Sequence, residues 1–283
     1  MARSPSLRST NSLGEVLPVE AFEIEAPHPL EISGVASVAD GYAVVGDEDP
    51  EFGRIWPAGT AFEIGGNLNG PESIAVGFGP AGEELWLILG EKRRTLIDLA
   101  GGRHRFSGKF REKEGRGLEG LAVKRTGGAW RVAMAWEGGF FDWKSDRAGE
   151  HAAPRIAVFT WIPGVGVGGR IKTVKVAAPK PSRGQRFGVP DLVWDGDDLI
   201  VLLASTDKRR KHKAHTWLQR FAANGRPAGR PFKLEDEWGA YRDGKNWEAL
   251  DWTLDRQSLV MGHDAKANRA YRALVVFPKP AGL

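Results

Sequence analysis

The segment Leu118-Glu119-Gly120-Leu121-Ala122 contains one of five related motifs in this chain. Each motif starts with a small or acidic residue, continues with a mostly small or apolar triplet and opens a strand-like run. The five copies are Ser33-Gly34-Val35-Ala36, Glu72-Ser73-Ile74-Ala75, Glu119-Gly120-Leu121-Ala122, Asp191-Leu192-Val193-Trp194 and Glu248-Ala249-Leu250-Asp251. We call their first residues the lead residues. Recurrence of one motif along the chain predicts a repeat architecture.

The spacing of the lead residues indicates the kind of repeat. Successive lead residues are 39, 47, 72 and 57 positions apart. A four-stranded propeller blade needs roughly 40 to 50 residues, so two spacings fit directly and two require loop insertions. Glycine- and proline-rich stretches around 164–169 and 179–188 supply such loops. We therefore predict an all-β fold, a β-propeller of five four-stranded blades, with a β-sandwich of similar hairpins as the alternative.

The bulk composition supports one large β domain. The chain has 283 residues, 41% hydrophobic content, 37 glycines and 17 prolines, which is typical of short strands joined by many turns. We predict a flexible N-terminus at 1–17 and a single propeller domain at 18–283. Within that domain, the alternating segment 19–25 is predicted to pair as the outer strand of the last blade and so close the ring.

Cysteine content, apolar segments and net charge limit the environments and partners that we expect for this protein. The chain lacks cysteine, which excludes disulfides and thiolate metal sites. It contains no run of 18 apolar residues and no apolar leader, so we expect a soluble, cytoplasmic protein that does not bind membranes. The net charge of +4 favours anionic partners. Aromatic residues do not alternate with the basic clusters, which disfavours nucleic acid.

The lead residues are candidate metal ligands. In a propeller the first strand of each blade lines the central channel, so the lead residues would meet at one mouth. Converging carboxylates repel each other unless a cation neutralises them, and oxygen ligands suit Ca²⁺, with Mg²⁺ or Mn²⁺ as alternatives. The predicted ligands are Ser33, Glu72, Glu119, Asp191 and Glu248. The competing interpretation is that each acid binds neighbouring backbone amides.

A second ring of polar residues is predicted around the first. At 14 to 19 residues after the lead residues lie Asp47, Glu91, Glu137, Ser205 and His263, near the ends of the second strands. Basic loops follow several of these positions. The predicted substrate-binding residues are Asp47, Glu91, Arg93, Arg94, Ser205 and Lys208. The candidate catalytic residues are Glu137, His263 and Asp264, each able to act as a base through water, and the sequence leaves the choice among them open.

Two family resemblances rest on these motifs. The Glu-Gly-Leu-Ala segment at 119–122 resembles propellers of the phytase-like esterase type. The set of lead residues is similar to the ligand ring of calcium-dependent nucleotidases of the apyrase type, which are five-bladed propellers with an axial calcium ion. Asp191 stands where that family has a serine. The resemblance implies nucleotide hydrolysis and is limited to a handful of residues in each blade.

Three functions follow as hypotheses. The first is a calcium-dependent hydrolase that acts on a phosphate-containing, anionic small molecule at the channel mouth, because a metal ion and basic side chains together suit phosphoryl oxygens. The second is a non-catalytic binding propeller, in which the metal is structural and the basic rim docks an acidic partner. The third is a lactonase or esterase, since an axial ion can also activate an ester carbonyl.

Overall fold

A computed structural model describes most of the strands and the short turns between them. The described residues are 7–10, 16–23, 32–46, 51–65, 68, 70–90, 93–106, 110, 117–136, 154–177, 185–207, 210–234, 247–263 and 272–283. For 7–10, 16–23, 185–187, 205–207, 210–215 and 272–273 the backbone alone is described. None of the described segments is a helix of the length and apolarity that crossing a membrane requires.

The strands form five antiparallel sheets. The first comprises β3 (Gly34–Val38), β4 (Gly41–Val45), β5 (Phe52–Trp56) and β6 (Thr60–Glu63). The second comprises β7 (Pro71–Phe78), β8 (Glu84–Gly90), β9 (Thr95–Asp98) and β10 (Arg103–Arg105). The third comprises β11 (Leu118–Thr126), β12 (Ala129–Trp136), β13 (Arg155–Ile162) and β14 (Gly166–Lys175).

The last two sheets carry one strand more than the first three. The fourth comprises β15 (Gln185–Gly188), β16 (Leu192–Asp195), β17 (Asp198–Asp207), β18 (Arg210–Ala222) and β19 (Phe232–Leu234), with β15 and β16 both paired to β17. The fifth comprises β20 (Trp247–Trp252), β21 (Ser258–His263), β22 (Arg272–Pro278), β2 (Val16–Glu23) and β1 (Leu7–Thr10).

The five sheets are the blades of a closed propeller. The inner strands are β3, β7, β11, β16 and β20; each contacts the next, and β20 contacts β3. The apolar core is divided among five clusters, and each cluster packs between two successive blades. The predicted five-bladed propeller is therefore confirmed, and its stability resides in the interfaces between blades.

The N-terminal segment closes the ring, as predicted. Strand β2 pairs antiparallel with β22, with Glu20 opposite Val276, and so completes the fifth blade. Residues 7–10 lie within the segment 1–17 that we predicted to be flexible, and they form β1, which pairs with the outer edge of β2. The outer edge of a sheet has unpaired backbone N–H and C=O groups. Here the backbone of β1 pairs with those groups of β2.

Every lead residue lies at a β-bulge. Between β7 and β8, Pro71 faces Gly90 and Ser73 faces Leu89, so the inner strand has one extra residue at Glu72. The same surplus of one residue occurs at Glu119–Gly120 and at Glu248. In the fourth blade it falls between β15 and β16, at 189–191. A bulge redirects a side chain and increases the local twist.

The first blade has the same feature. Ser33 donates its amide to the carbonyl of Val45 at 3.0 Å, although Gly34 is the ladder partner of Val45. Two residues of the inner segment thus face one residue of β4. The sequence motif therefore marks a β-bulge that recurs in each blade around the channel.

Close approach of the inner strands explains the glycines that follow the lead residues Ser33 and Glu119. A Cβ added to Gly34 would lie 2.7 Å from the Cα of Ser73, in the next blade. A Cβ added to Gly120 would lie 2.5 Å from the Cα of Asp191 and 2.9 Å from the carbonyl oxygen of Pro190. These contacts involve backbone atoms, which cannot move without shifting a blade.

A matched pair of alanine substitutions tests this packing. Gly120→Ala is expected to lower the free energy of unfolding by about 2 kcal/mol, as overpacking does. Ser73→Ala, at the equivalent position one blade earlier, removes a buried hydroxyl that bonds to none of the described residues, so we expect no loss of stability. Denaturant unfolding measures both, and equal losses would contradict the proposed contact.

Candidate functional site

The lead residues lie at one end of the central channel, which we call the lead mouth. The ends of the second strands reach the same mouth, because Val45 faces Gly34, Gly90 faces Pro71 and Trp136 faces Leu118. The arrangement of the two predicted rings around one mouth thus follows from the strand register. The opposite end of the channel, where the inner strands end in tight turns, we call the turn mouth.

Three glutamates hold equivalent positions at the lead mouth. Glu72, Glu119 and Glu248 are half-buried, and each lies in the bulge at the start of its inner strand. Across the ranges that the structure describes, no three His, Cys, Asp or Glu side chains lie close enough together to hold a metal ion. The glutamates therefore share one mouth and one register without forming a closed coordination shell.

Asp191 has a different role from the three glutamates. It is completely buried, and its Oδ1 accepts hydrogen bonds from the amides of Leu121 at 3.0 Å and Leu192 at 2.9 Å. Its Oδ2 accepts a bond from the amide of Leu250 at 2.7 Å. One carboxylate thus connects the third, fourth and fifth blades. Burial raises the pKa of Asp191 well above its ordinary value, and the three amide bonds oppose that rise.

Ser33 and His263 are also buried at this end of the channel. His263 ends β21 and faces Trp247, and their ring centroids lie 5.1 Å apart in an edge-to-face arrangement. This histidine is part of the packed interior at the end of β21. Its burial separates it from solvent.

Arg93 and Arg94 occupy the connection between β8 and β9, on the lead-mouth side of the second blade. Arg93 is exposed and Arg94 is half-buried. Thr95 Oγ1 donates to the carbonyl of Arg93 at 3.1 Å, and the amide of Phe106 donates to the carbonyl of Arg94 at 2.8 Å. The φ of Arg94 is 51°, a left-handed conformation that side-chain-bearing residues seldom adopt.

The remaining predicted residues cannot be placed. Outside the described residues lie Asp47, Glu91, Glu137, Lys208 and Asp264. Ser205 belongs to β17 and its backbone faces His215, but its side chain is not described. Their predicted roles stay predictions.

The turn mouth contains a cavity of about 800 Å³, which the sequence did not indicate. Apolar residues of the inner strands, among them Val76 and Val123, line it together with polar and charged groups. Lys124, Arg125 and Arg256 line the same cavity as Asp195, Asp197 and Asp251. The volume lies within the range of typical small-molecule sites.

Asp251 is the acid that faces this cavity from the channel wall. Its Oδ2 accepts a hydrogen bond from the amide of Ser37 at 2.7 Å, which joins the fifth blade to the first. Burial raises the pKa of Asp251 to about 7, while the amides of Ser37 and Trp252 and the charge of Arg256 act in the opposite direction. One feature of the sequence could have indicated this residue. Asp251 is the fourth residue of its motif, and that position is uncharged in the other four copies, as Ala36, Ala75, Ala122 and Trp194.

The strand order and the two mouths define a class of protein, the five-bladed β-propellers. A scan against protein-family models matches no family. A search of curated proteins finds no match either.

Solved structures with a similar fold include enzymes of several kinds. The hydrazine synthase of Kuenenia stuttgartiensis is 11% identical over 91% of this chain and 65% of that chain, with a TM-score of 0.47. A streptogramin B lyase is 9% identical over 98% and 99%, with a TM-score of 0.40. A protein of the GH130 family of mannoside phosphorylases is 12% identical over 99% and 87%, with a TM-score of 0.42. This chain thus spans 65% of the hydrazine synthase chain. Such likenesses concern the fold alone.

Removing the Asp191 carboxylate is expected to loosen three blades at once. Asp191→Ala would leave three buried amides without an acceptor, so we expect a loss of about 3 kcal/mol or more in the free energy of unfolding. Glu119→Ala, at the equivalent position of the third blade, should cost less than about 1 kcal/mol in metal-free protein, since its side chain is half-buried. Urea unfolding distinguishes the two, and similar losses would contradict the structural role of Asp191.

The raised pKa of Asp251 predicts a pH-dependent stability. The folded protein keeps a proton on this carboxyl that the unfolded chain has lost, so the free energy of unfolding should fall as pH rises from about 4 to about 7. Asn cannot titrate but can still accept the Ser37 amide. We therefore expect Asp251→Asn to flatten the dependence of Tm on pH and to raise Tm at pH about 8, where the buried charge destabilises the parent protein. Parallel Tm curves for parent and variant would contradict the assignment.

Proposed function

We propose that the lead mouth is a ligand site at which this protein hydrolyses a phosphate-containing, anionic small molecule with the help of Ca²⁺. One observation carries the proposal. Half-buried Glu72, Glu119 and Glu248 hold the same bulged register at a mouth that also bears Arg93 and Arg94. Bulges are over-represented beside active sites because they redirect side chains. At one mouth, carboxylates can bind a cation and arginines can bind an anionic substrate.

The described residues fit a calcium ion in part. The carboxylates of Glu72, Glu119 and Glu248 are hard oxygen ligands, which Ca²⁺ prefers, and Mg²⁺ or Mn²⁺ are alternatives. Asp191 does not fit, because its two oxygens already accept three backbone amides. The ligand set that we propose is therefore the three glutamates, with the Ser33 hydroxyl as a further oxygen. An ion would have to draw the glutamates closer together than they are in the described structure.

A bound calcium ion would neutralise the converging glutamates and polarise a phosphoryl oxygen. The chain's own residues would do the rest. The arginines suit the other phosphate oxygens, since a guanidinium forms paired, charge-assisted hydrogen bonds. The left-handed backbone of Arg94 keeps its carbonyl bonded to Phe106, which fixes the start of its side chain at the rim. Glu137 and Asp264 remain the candidate bases, because buried His263 is separated from solvent.

A metal-free binding propeller is the second candidate, and Asp191 favours it. The Asp191 carboxylate accepts three backbone amides, which is the role that the competing interpretation gives to the lead acids. If the glutamates likewise serve the protein itself, the basic rim at the lead mouth would dock an acidic partner without turnover. Such binding would weaken steeply with salt, because exposed charges are screened.

Metal dependence separates the two candidates. In metal-free parent protein, Ca²⁺ at about 100 times its Kd should stabilise the fold by about 2.7 kcal/mol, seen as a rise in Tm. Glu119→Gln should weaken Ca²⁺ binding by about tenfold or more, since it removes a charged ligand. Glu63→Gln, an exposed glutamate of β6, is the matched control and should bind Ca²⁺ as the parent does.

Turnover completes the test. Nucleotides and simple phosphate esters should be hydrolysed with Ca²⁺ and spared in excess chelator, with Glu119→Gln impaired in proportion to its metal affinity. Absence of a Tm shift with Ca²⁺, Mg²⁺ and Mn²⁺ would overturn the hydrolase proposal and leave the binding propeller. Hydrolysis that persists in excess chelator would show that the reaction does not need a metal ion, and the proposal of a hydrolytic site at the lead mouth would remain.

A further inference from the structure

We propose that the turn-mouth cavity is a second ligand site, which binds a small organic monocarboxylate with an apolar body through the guanidinium of Arg256 beside Asp251. This site lies at the end of the channel opposite the lead mouth and does not depend on the function proposed there. It is built entirely from described residues of the five inner strands and the turns that follow them.

The cavity can accept an apolar ligand body. Val76 of β7 and Val123 of β11 are half-buried and line its wall, beside apolar residues of the other inner strands that are almost completely buried between blades. Phe78 and Leu254 line it nearer the rim and are 43% and 50% exposed. Large apolar side chains exposed at the edge of a cavity typically mark a ligand or interaction site.

Arg256 is held in place by a strained, tightly bonded turn. Its φ is 56°, and its amide donates to the carbonyl of Thr253 at 2.7 Å. Asp255 Oδ1 accepts bonds from Thr253 Oγ1 at 2.6 Å and from the amide of Gln257 at 3.0 Å. A left-handed conformation in a residue with a long side chain is unfavourable, and such residues cluster at ligand sites. The turn would be more stable with Gly or Asn at this position, so the arginine is not explained by the backbone.

The side chain of Arg256 is orientated by the neighbouring blade. Its Nη2 donates to the carbonyl of Trp194 at 2.7 Å, and its guanidinium lies 5.3 Å from the ring centroid of Trp252. Trp252 Nε1 donates to the same carbonyl at 2.8 Å. A guanidinium carries five N–H donors in a planar fork, so a ligand carboxylate can bind through the donors that do not face Trp194.

The other acids of the cavity are engaged by other cations. Asp197 pairs with Lys124 at 2.8 Å. Asp195 pairs with Lys279 at 2.8 Å, and Arg220 lies 3.6 Å from the same oxygen. Arg256 lies close enough to Asp251 for its charge to oppose the rise in the pKa of that carboxyl. Protonation of Asp251 would leave the cavity lining with a net positive charge, from Lys124, Arg125 and Arg256 against Asp195 and Asp197. An anion is therefore favoured over an amine.

Asp251 makes this binding depend on pH. The charged groups around it are Arg256 on its own turn, Lys124 and Arg125 from β11, Asp195 and Asp197 at the end of β16, and buried Asp191. From β3 the neutral Ser37 donates its amide. A ligand carboxylate would repel ionised Asp251 and can accept a hydrogen bond from the protonated form. Binding should therefore strengthen as pH falls through about 7, where this carboxyl takes up its proton.

Calorimetric titration with 4-phenylbutyrate tests the site, with 4-phenylbutanol as the uncharged analogue. We expect saturable binding of the acid at pH about 6, about tenfold weaker binding at pH about 8, and a loss of about tenfold or more for the alcohol at pH about 6. Arg256→Asn should bind the acid about tenfold more weakly with an unchanged Tm, because Asn tolerates the left-handed backbone. Arg256→Gly, which also suits that backbone, is the second variant.

The matched control is Arg94→Asn, the same substitution in the same backbone conformation at the lead mouth, and it should leave 4-phenylbutyrate binding unchanged. Asp251→Asn should bind equally well at both pH values. Absence of saturable binding, equal affinity for acid and alcohol, or parent-like affinity in folded Arg256→Asn would overturn the proposal. Weakening by Arg94→Asn alone would assign the acid to the lead mouth and overturn it as well.

Discussion

The inner strands approach one another backbone to backbone around the central channel, and this close approach constrains the rest of the propeller. At Gly120 the neighbouring strand is so near that a single methyl group would overlap the Cα of Asp191. Polar groups enclosed this tightly need partners, because an unpaired buried amide is costly. The Asp191 carboxylate provides acceptors for amides of three successive blades, and it can do so only because the preceding blade has glycine there.

The same solution recurs elsewhere between blades. Asp251 accepts the amide of Ser37 across the junction of the fifth and first blades. Asp98 accepts bonds from Trp161 Nε1 and from the amide of Gly164, so it connects the second blade to the third. Aspartate has a short side chain and two acceptor oxygens, which suits it to amides that a neighbouring strand leaves unpaired. Acidic residues in this fold therefore differ in their surroundings: Asp98 and Asp191 are almost completely buried among donors, whereas Glu72, Glu119 and Glu248 are half-buried.

Much of the fold was predictable from local patterns. The motif around Glu119 recurs with blade-like spacing, and turn residues such as Gly127 and Gly128 mark the reversals between first and second strands. The pairing of β2 with β22 followed from counting strands. The bulges were not predictable, because a surplus of one residue is defined only by the partner strand. The strand at Leu7–Thr10 was missed because its pattern is short and its support comes from β2.

The sequence by itself determined the repeat, the number of blades and the positions of the polar residues within each blade, because these follow from periodicity along one chain. Tertiary structure decided what each polar residue does. Asp191 and Glu119 are equivalent in the motif, yet one is enclosed by amides and the other is half-buried, since the environment of a carboxylate is set by strands far away in sequence. The cavity at the turn mouth likewise exists only once five strands close into a ring, because each blade contributes one inner strand to its lining.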